Sequence, residues 1–432
     1  MTTSINASRR EFLAGSLFGV SALAIGCHSE VAAQASKSAG EKLNIGIIGT
    51  ANRARANIGG VRHENIAAIC DVDAKLLDKM QADFPQSTKF TDFRKLLERR
   101  DLDAVVVSTA DHTHAPAAFW AMQQGKHVYC EKPLTHTVGE ARLLAETAKK
   151  QKVATQMGNQ IHAEKNYRRV VEILRSGAIG KIKEVHTWVG KGWGGGERPK
   201  ETPPVPETLA WDLWLGPAPQ RAYHPTYLPA NWRRWWDFGG GTLADMACHH
   251  MDLPFWAYEL TAPTKIKAEG PQVHPETCPL GLKVIYTFAA AGNRPEFTLT
   301  WYDGDMKPKT IEGIETGGGG NLFIGEKGKL RADYGSWKLY PEADFADYKP
   351  PAESIPNSTG HYIEWITACK TGSPTTCNFG YGGNLTESVL LGNIAYRTGK
   401  EIEWDAATLK AKNAPGADRL IHKDYRPGWA LS

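Results

Sequence analysis

Short, continuously apolar runs recur along the first third of the chain, separated by polar turns and by stretches with helical spacing. These runs occupy residues 43–49, 66–71, 104–109 and 127–130. Strands that are buried on both faces have such continuous apolar character, whereas strands with one solvated face alternate between apolar and polar positions. Strands that alternate with helices at these intervals predict an α/β fold with a doubly wound parallel sheet.

The pattern changes to alternation from about residue 181. Apolar and polar positions alternate over residues 183–189, 282–288 and 297–302, which predicts a mostly antiparallel sheet covered on one face. An apolar stretch over residues 385–396 predicts a helix that ends at Gly399. We therefore expect a second domain of the α+β class, built on a large open sheet.

The N-terminus has the character of an export signal. Residues 8–13 contain paired arginines followed by Phe and Leu, and the apolar run 17–25 is too short to span a bilayer. This combination is similar to a twin-arginine signal peptide, so we expect a protein that is periplasmic or otherwise exported. A small-x-small sequence favours cleavage near Ala35, and attachment of a lipid at Cys27 is the alternative.

Composition and charge narrow the class of ligand. The chain has 432 residues, of which 41% are hydrophobic, and 51 basic and 47 acidic residues give it a net charge of +4. These charges are spread along the chain, so no segment has the pattern of a nucleic-acid or membrane-surface site. We expect a small ligand and no transmembrane segment in the mature chain. The seven cysteines lack zinc-ligand spacing, which indicates buried thiols and no metal.

A candidate dinucleotide site follows the first predicted strand. Residues 49–54 occupy the position of a Gly-x-Gly-x-x-Gly turn, with alanine at the second and third glycine positions. Turns of this kind place backbone amides and a helix N-terminus against a pyrophosphate. Asp71 ends the second predicted strand roughly twenty residues after Gly49, where a carboxylate accepts from the ribose hydroxyls and disfavours a 2′-phosphate. We therefore expect NAD in preference to NADP.

Three further motifs support a family resemblance. Residues 130–134 read Cys-Glu-Lys-Pro-Leu, residues 109–114 read Thr-Ala-Asp-His-Thr-His, and residues 239–252 contain Asp-x-x-x-His. These motifs resemble the Gfo/Idh/MocA family of glucose-fructose oxidoreductase and inositol dehydrogenase relatives, and the resemblance extends over about residues 43–429. The alanines of the phosphate turn depart from the family pattern. Segments that resemble the secreted branch of the family are 211–217, 231–239 and 425–429.

The resemblance implies a sugar oxidoreductase with three catalytic residues. Asp245 and His249 are four residues apart, so they share one face of a predicted helix. By resemblance, His249 is the base that takes the hydroxyl proton, Lys132 holds the hydroxyl, and Asp245 orients His249 or binds an adjacent hydroxyl. Lys132 stays open as an alternative base, because a lysine in a closed pocket beside a cationic nicotinamide loses its proton more readily.

Polar residues at strand ends and aromatic residues of a Trp-rich segment supply further candidates. Eight of the fourteen tryptophans lie between residues 188 and 256, where they stack on a sugar ring or fill a core. Asn159 follows another predicted strand and belongs to the same edge of the sheet. The cofactor candidates are Gly49, Thr50, Ala51, Asn52, Arg53, Asp71, Thr109, His112, His114, Glu131, Lys132 and Gln160. The substrate candidates are His162, Trp193, Trp232, Arg233, His250 and Asp252.

Together these patterns predict four segments and a preferred function. The segments are a signal peptide over residues 1–35, a linker over 36–42, an NAD-binding Rossmann domain over 43–160, and a substrate-binding and oligomerisation domain over 161–432. The family implies a homodimer or homotetramer, because an open sheet face needs cover.

The preferred function is oxidation or reduction of a ring hydroxyl of a sugar or glycoside, with a 3-keto-glycoside as one product, by an enzyme that keeps NAD bound. Scarcity of free NAD outside the cytosol motivates the retained cofactor. One alternative is an NAD-dependent glycoside hydrolase that works by transient oxidation, elimination and re-reduction. The other is a secreted sugar-binding protein without catalysis.

Overall fold

The computed structural model describes residues 40–431, so the expected signal peptide, its cleavage site, Cys27 and most of the linker lie outside the described residues. The first sheet has six parallel strands in the order β3-β2-β1-β4-β5-β6. Its strands are β1 (Asn44–Ile48), β2 (Asn65–Cys70), β3 (Thr88–Phe90), β4 (Ala104–Val107), β5 (His127–Glu131) and β6 (Thr155–Gly158). The helices of this part are α1 (Arg53–Val61), α2 (Ala74–Asp83), α3 (Phe93–Leu97), α4 (Asp111–Gln123) and α5 (Val138–Gln151).

Both faces of the first sheet are buried. On β1, Ile45 and Ile47 join one apolar cluster, whereas Ile48 joins another. Successive side chains of a strand point to opposite faces, so a strand with apolar cover on both sides needs a continuous apolar run. The strand order reverses between β1 and β4, and ligands of such sheets bind beyond the carboxyl ends of the strands at this point. The predicted doubly wound parallel sheet is confirmed.

The second sheet has nine strands in the order β15-β14-β13-β7-β10-β9-β8-β16-β17, and its strand pairs are antiparallel except for β7 with β10. Its strands are β7 (Ile182–Val189), β8 (Lys265–Glu269), β9 (Lys283–Phe288), β10 (Phe297–Asp303), β13 (Gly319–Gly325), β14 (Lys329–Ala332), β15 (Trp337–Tyr340), β16 (Ile402–Asp405) and β17 (Lys410–Ala411), and β11 (Thr310–Ile311) with β12 (Ile314–Glu315) forms a separate hairpin. The helices are α6 (Lys165–Arg175), α7 (Trp211–Leu215), α8 (Gly241–His250), α9 (Asp252–Tyr258), α10 (His361–Thr371), α11 (Phe379–Thr398) and α12 (Asp418–Ile421).

Helices cover one face of the second sheet. On β9, Val284, Tyr286 and Phe288 are buried, while the residues between them are partly exposed. The long helix α11 is buried over most of its length, and it packs against α5, α8 and β8. The predicted mostly antiparallel sheet, covered on one face, is therefore confirmed.

Helix α10 belongs to the last quarter of the chain but completes the core of the first sheet. Trp365 and Cys369 lie in the apolar cluster that also contains Ile45 and Ile47. The Nζ of Lys370 is 2.7 Å from Oε1 of Glu64, which lies beside the start of β2. Part of the apolar cover of the first sheet thus comes from a segment more than 200 residues later in the sequence.

Two helices begin earlier than the sequence pattern predicts. Helix α11 starts at Phe379, capped by the side chain of Asn378, and its first turns contain several glycines of low helix propensity. A Cβ at Gly382 would lie 2.9 Å from Cβ of Met157, so close packing accounts for these glycines. Helix α4 starts at Asp111 and therefore includes residues expected in a loop.

The sequence also predicted that the mature chain has no transmembrane segment and that its thiols are buried. No helix within residues 40–431 is long and apolar enough to cross a membrane. The six cysteines in this part of the chain are buried and form no disulfide with one another.

Candidate active site

Helix α8 presents two polar side chains on one face. Its positions are buried except for Asp245 and His249, which are partly exposed and one turn apart. The helix begins at Gly241, where φ is +66° and a Cβ would lie 2.7 Å from Cβ of Cys278, so only glycine fits. The spacing of Asp245 and His249 predicted this shared face, and the structure turns it toward the carboxyl ends of β5 and β6.

Lys132, Asp245 and Arg233 form a compact charged cluster at the end of β5. The Nζ of Lys132 donates to Oδ1 of Asp245 at 2.8 Å and to its backbone carbonyl at 2.6 Å. The Nε of Arg233 donates to the same Oδ1 at 2.9 Å. Burial alone would raise the pKa of Asp245, but the two cations hold this pKa well below its ordinary value. The cluster therefore keeps one net positive charge.

His249 is held in one tautomer by Asn159, which follows β6. The Nδ2 of Asn159 donates to the carbonyl of Cys248 at 3.0 Å, which turns its Oδ1 toward Nδ1 of His249 at 2.7 Å. Because an amide oxygen only accepts, Nδ1 must carry the proton and Nε2 the lone pair. Burial and the neighbouring Lys132 charge lower the pKa of His249 well below its ordinary value. At neutral pH the imidazole is a free base.

The buried carboxylate of Glu131 accepts several hydrogen bonds beside this cluster. Its Oε1 accepts from Nδ2 of Asn57 at 2.9 Å, from Nε2 of Gln160 at 2.9 Å and from Nε of Arg53 at 3.3 Å. A Cβ at Gly158 would lie 2.6 Å from the same oxygen, so a glycine is required there. The structure brings together the predicted Glu131, Gln160 and Arg53, and it uses the Glu131 carboxylate to position the other two.

The turn after β1 has the features of an anion-binding cradle. Gly49 has a φ of +88°, and a Cβ there would lie 2.6 Å from the carbonyl oxygen of Ser108. The following helix α1 has no side-chain cap and no acidic residue in its first turn, so its first amides are available to a phosphate. Ala54 packs fully buried in the core at the third glycine position. The turn residues Ala51 and Asn52 thus fit a dinucleotide despite the two alanines.

Asp71 lies at the end of β2, next to this turn. Its Oδ2 accepts from the backbone N–H and the hydroxyl of Thr50 at 2.9 and 2.8 Å, and its Oδ1 accepts from the amide of Asp73 at 3.1 Å. Burial raises the pKa of Asp71. Each carboxylate oxygen can accept two hydrogen bonds, so Oδ1 has capacity for a hydroxyl. Thr50 fixes the carboxylate and is itself buried.

Several candidates lie beneath the site instead of lining it. His112 and His114 are buried within α4, where Nε2 of His112 is 2.9 Å from the carbonyl of Trp214 and Nδ1 of His114 is 2.8 Å from that of Pro133. The early start of α4 buries both rings, so these two cofactor candidates do not line the site. Thr109 is partly exposed at the end of β4 and accepts from the hydroxyl of Thr113.

Some of the substrate candidates are also buried, whereas others lie in the charged cluster or at the surface. His162 and Asp252 are buried and paired at 2.9 Å, and Tyr381 donates to the same carboxylate. The expected contacts with substrate are therefore replaced by a buried network. The ring of His250 is buried against Tyr334, and Trp232 is buried under the guanidinium of Arg233. Of the six substrate candidates, Arg233 joins the charged cluster and Trp193 is 41% exposed.

Sequence reasoning did not single out Asp111, the first residue of α4. Its carboxyl group is buried, and burial raises its pKa to about 8 although Arg233 and Lys132 oppose this. Asp245 and Glu131 add further like charge. Its position just after β4, at the ligand-binding edge, is the signal that could have identified it.

Two family models together cover most of the chain. One, described as the NAD-binding Rossmann fold of an oxidoreductase family, matches residues 43–159. The other, described as the C-terminal alpha/beta domain of the same family, matches residues 170–431.

Individual curated proteins match this chain over part of its length. A glycosyl hydrolase family 109 protein of Shewanella pealeana is 29% identical over 154 residues, which are 33% of this chain and 34% of that protein. The chain thus spans about a third of the length of the curated relatives it matches.

Among solved structures, the WlbA dehydrogenase of Bordetella pertussis in complex with NADH and UDP-GlcNAcA has a TM-score of 0.60 at 17% identity, covering 84% of this chain and 98% of that one. The aldose-aldose oxidoreductase of Caulobacter crescentus has a TM-score of 0.55 at 16% identity, covering 84% and 100%. At these identities the likeness establishes the fold.

Proposed function

Because this chain belongs to the Gfo/Idh/MocA family of oxidoreductases and carries its NAD-binding Rossmann domain, we propose that it oxidises or reduces a ring hydroxyl of a sugar or glycoside. The observation that carries this proposal is the contact of Lys132, at the end of the nucleotide-binding sheet, with Asp245, one turn before His249. A base and an oxyanion-binding cation thereby meet at the edge where such sheets bind dinucleotides.

The proposed chemistry divides the proton between two groups. Nε2 of His249 takes the hydroxyl proton, since Asn159 leaves that nitrogen with its lone pair. Two N–H groups of Lys132 bind Asp245, and the third remains to donate to the substrate oxygen as it gains negative charge. A bound nicotinamide supplies the acceptor for the hydride. These assignments favour His249 over Lys132 as the base.

The proposed cofactor is NAD. The uncapped N-terminus of α1 and the turn at Gly49 would hold the pyrophosphate, and Asp71 would accept from the adenosine ribose. A 2′-phosphate would place a second anion against the Asp71 carboxylate, which disfavours NADP. The substrate class is proposed from the cluster itself and from the sugar-related names of similar proteins.

A second candidate is glycoside hydrolysis through transient oxidation, which the family 109 glycosyl hydrolase relatives favour. Oxidation of a hydroxyl to a ketone makes the proton on the neighbouring carbon acidic. Elimination of the glycosidic oxygen then needs a second acid–base group. Asp111 is such a group, because burial raises its pKa to about 8 and so keeps it protonated near neutral pH. It would donate a proton to the leaving oxygen.

The two candidates are distinguished with protein isolated without added cofactor. Each of a panel of glycosides and free sugars is added, and the near-ultraviolet absorbance of reduced nicotinamide is followed. A rise equal to the bound cofactor, with accumulation of a keto sugar, is expected for the oxidoreductase. Release of aglycone in excess over bound cofactor, with no external acceptor, would instead establish hydrolysis. Absence of cofactor from the protein, together with no binding of added NAD, would refute both.

We also propose export by the twin-arginine route and assembly into a homo-oligomer. The paired arginines at 9 and 10 support export. The outer face of the nine-stranded sheet carries partly exposed Ile285, Tyr302 and Tyr340, which support assembly through that face. Cell fractionation of a variant with both arginines changed to lysine tests the first, and light scattering of the purified protein tests the second.

A further inference from the structure

A second cavity lies between the loop before α8 and the C-terminal segment. Its volume is about 250 Å³, below the range of about 300–1,000 Å³ typical of drug-sized ligands. Gly239 and Gly240, the start of α5, the C-terminal half of α11 and residues 419–424 line it. None of Lys132, Asp245 and His249 lies on its wall, so the cavity is distinct from the candidate active site.

The wall of this cavity carries excess positive charge. Arg397 and Arg419 both line it, and within residues 40–431 neither guanidinium has a hydrogen bond or a salt bridge. The guanidinium of Arg397 lies over the ring of Trp236, 4.7 Å from its centroid, and both residues line the cavity. Two unpaired guanidinium groups at one small cavity are suited to bind a planar oxyanion.

The other charged groups of the wall do not cancel the charge of these two arginines. Nζ of Lys423 is 2.7 Å from Oε1 of Glu140, and the carboxylate of Asp237 is paired with Arg221. Asp424 is an exposed carboxylate on the rim. Burial is the main cause that lowers the pKa of Arg397, Asp237 opposes it, and the like charge of Arg419 adds a smaller lowering.

A histidine with a buried ring nitrogen belongs to this wall. Nδ1 of His136 is buried with no hydrogen-bond partner, while its Nε2 lies 3.4 Å from the carbonyl of Gly239. Burial lowers the pKa of His136 to about 3, so the ring is neutral. A proton on Nε2 for that carbonyl leaves Nδ1 as an acceptor. The imidazole therefore adds no charge to the wall, and the two arginines determine which ligand charge the cavity favours.

We propose that this cavity binds a small organic carboxylate, no larger than a sugar acid. The carboxylate pairs with Arg397 and Arg419. The apolar side chains of Trp236, Leu390 and Ile394 cover the carbon skeleton. The site is independent of the proposed oxidoreductase activity, because none of its side chains takes part in that chemistry.

Titration calorimetry with glucuronate as the probe tests the proposal. Glucose is the matched neutral ligand, since it differs by a hydroxymethyl in place of the carboxylate. We expect saturable glucuronate binding that sulfate displaces and chloride at equal ionic strength does not, and that glucose does not reproduce. Arg397→Met should weaken glucuronate binding by about tenfold or more.

Two further variants keep this test decisive. Arg419→Met changes an exposed side chain and leaves folding intact, so it applies even where Arg397→Met fails to fold, and it should weaken binding several-fold. Arg100→Met, an exposed arginine on the first domain, should bind glucuronate like the unchanged protein. Glucuronate binding that is absent, or that is equal in Arg419→Met and Arg100→Met, would overturn the proposal.

Discussion

The contact of Asn159 with His249 leads to a prediction that separates positioning from general stability. In the unchanged protein the pKa of His249 lies well below its ordinary value, so the base is neutral at pH 6–9 and the rate of substrate oxidation should not fall at the acidic end. Asn159→Asp places a carboxylate where Oδ1 now lies 2.7 Å from Nδ1. An opposite charge within about 4–6 Å favours the protonated imidazole by about one to three pKa units.

The sign of the effect follows from the lone pair on Nε2. As the pH falls through the raised pKa, the imidazole becomes doubly protonated and no longer accepts the hydroxyl proton. We therefore expect the acid limb of the rate profile to move up by about one to three pH units in Asn159→Asp. Asn159→Ala should show no such shift, but should be slower at every pH because the ring loses its fixed tautomer. It should also be less stable, by about 1–3 kcal/mol for each of the two groups left without a partner.

The assay is the single-turnover rate of bound-cofactor reduction as a function of pH, measured at saturating substrate. The matched control is Asn166→Asp, in which an asparagine that donates to the carbonyls of Asp333 and Ser336 undergoes the same change away from the site. Parallel profiles for Asn159→Asp and the unchanged protein would refute the assignment of Nε2 as the base. They would then favour Lys132.

Four further outcomes are expected. Lys132→Met should lower the rate of substrate oxidation by about 10²–10³-fold, because the oxygen loses its cationic partner, while denaturation should still release bound cofactor. Asp71→Asn retains acceptors for Thr50 but removes the charge, so the ratio of NADP to NAD affinity measured by titration should rise. In the folded protein Asp111 stays protonated up to a pKa of about 8, whereas in the unfolded chain it ionises above about 3.8. The free energy of unfolding therefore decreases as pH rises between these values. Asp111→Asn should remove about 1.4 kcal/mol of this loss per pH unit. Conversely, burial lowers the pKa of four histidines to about 3, so the unfolded chain takes up more protons below pH 6.5. Each contributes a loss of about 1.4 kcal/mol per pH unit between pH 6 and 4, which together outweighs the opposite contributions of Asp111 and Asp303, so urea unfolding should show stability falling over this range. These histidines are His112, His136, His250 and His361.

The fold was predictable because burial on both faces and burial on one face leave different patterns in sequence. The continuous runs 43–49 and 104–109 became central strands of the parallel sheet, and alternation over 282–288 became β9. The start of α11 was not predictable in this way. Its glycines are poor helix formers, and only close packing against Met157 makes them favourable.

The candidate site was predictable where its geometry is local. Four-residue spacing placed Asp245 and His249 on one helix face, and no long-range information was needed. The tautomer of His249 depends on Asn159, which is 90 residues distant in sequence and meets it only in the folded chain. His112 and His114 were misleading because polar residues after a strand resemble ligand contacts until the start of the helix that buries them is known.

Helix α10 has a consequence for how the polypeptide matures on the ribosome. Residues 43–160 emerge first, yet Tyr129 of the first sheet packs against Trp365 only after the chain has grown beyond residue 371. At about 5–20 residues per second, this leaves an apolar surface open for roughly 10–40 s of synthesis. Grafting the nucleotide-binding half onto another protein would therefore require α10 to be transferred with it.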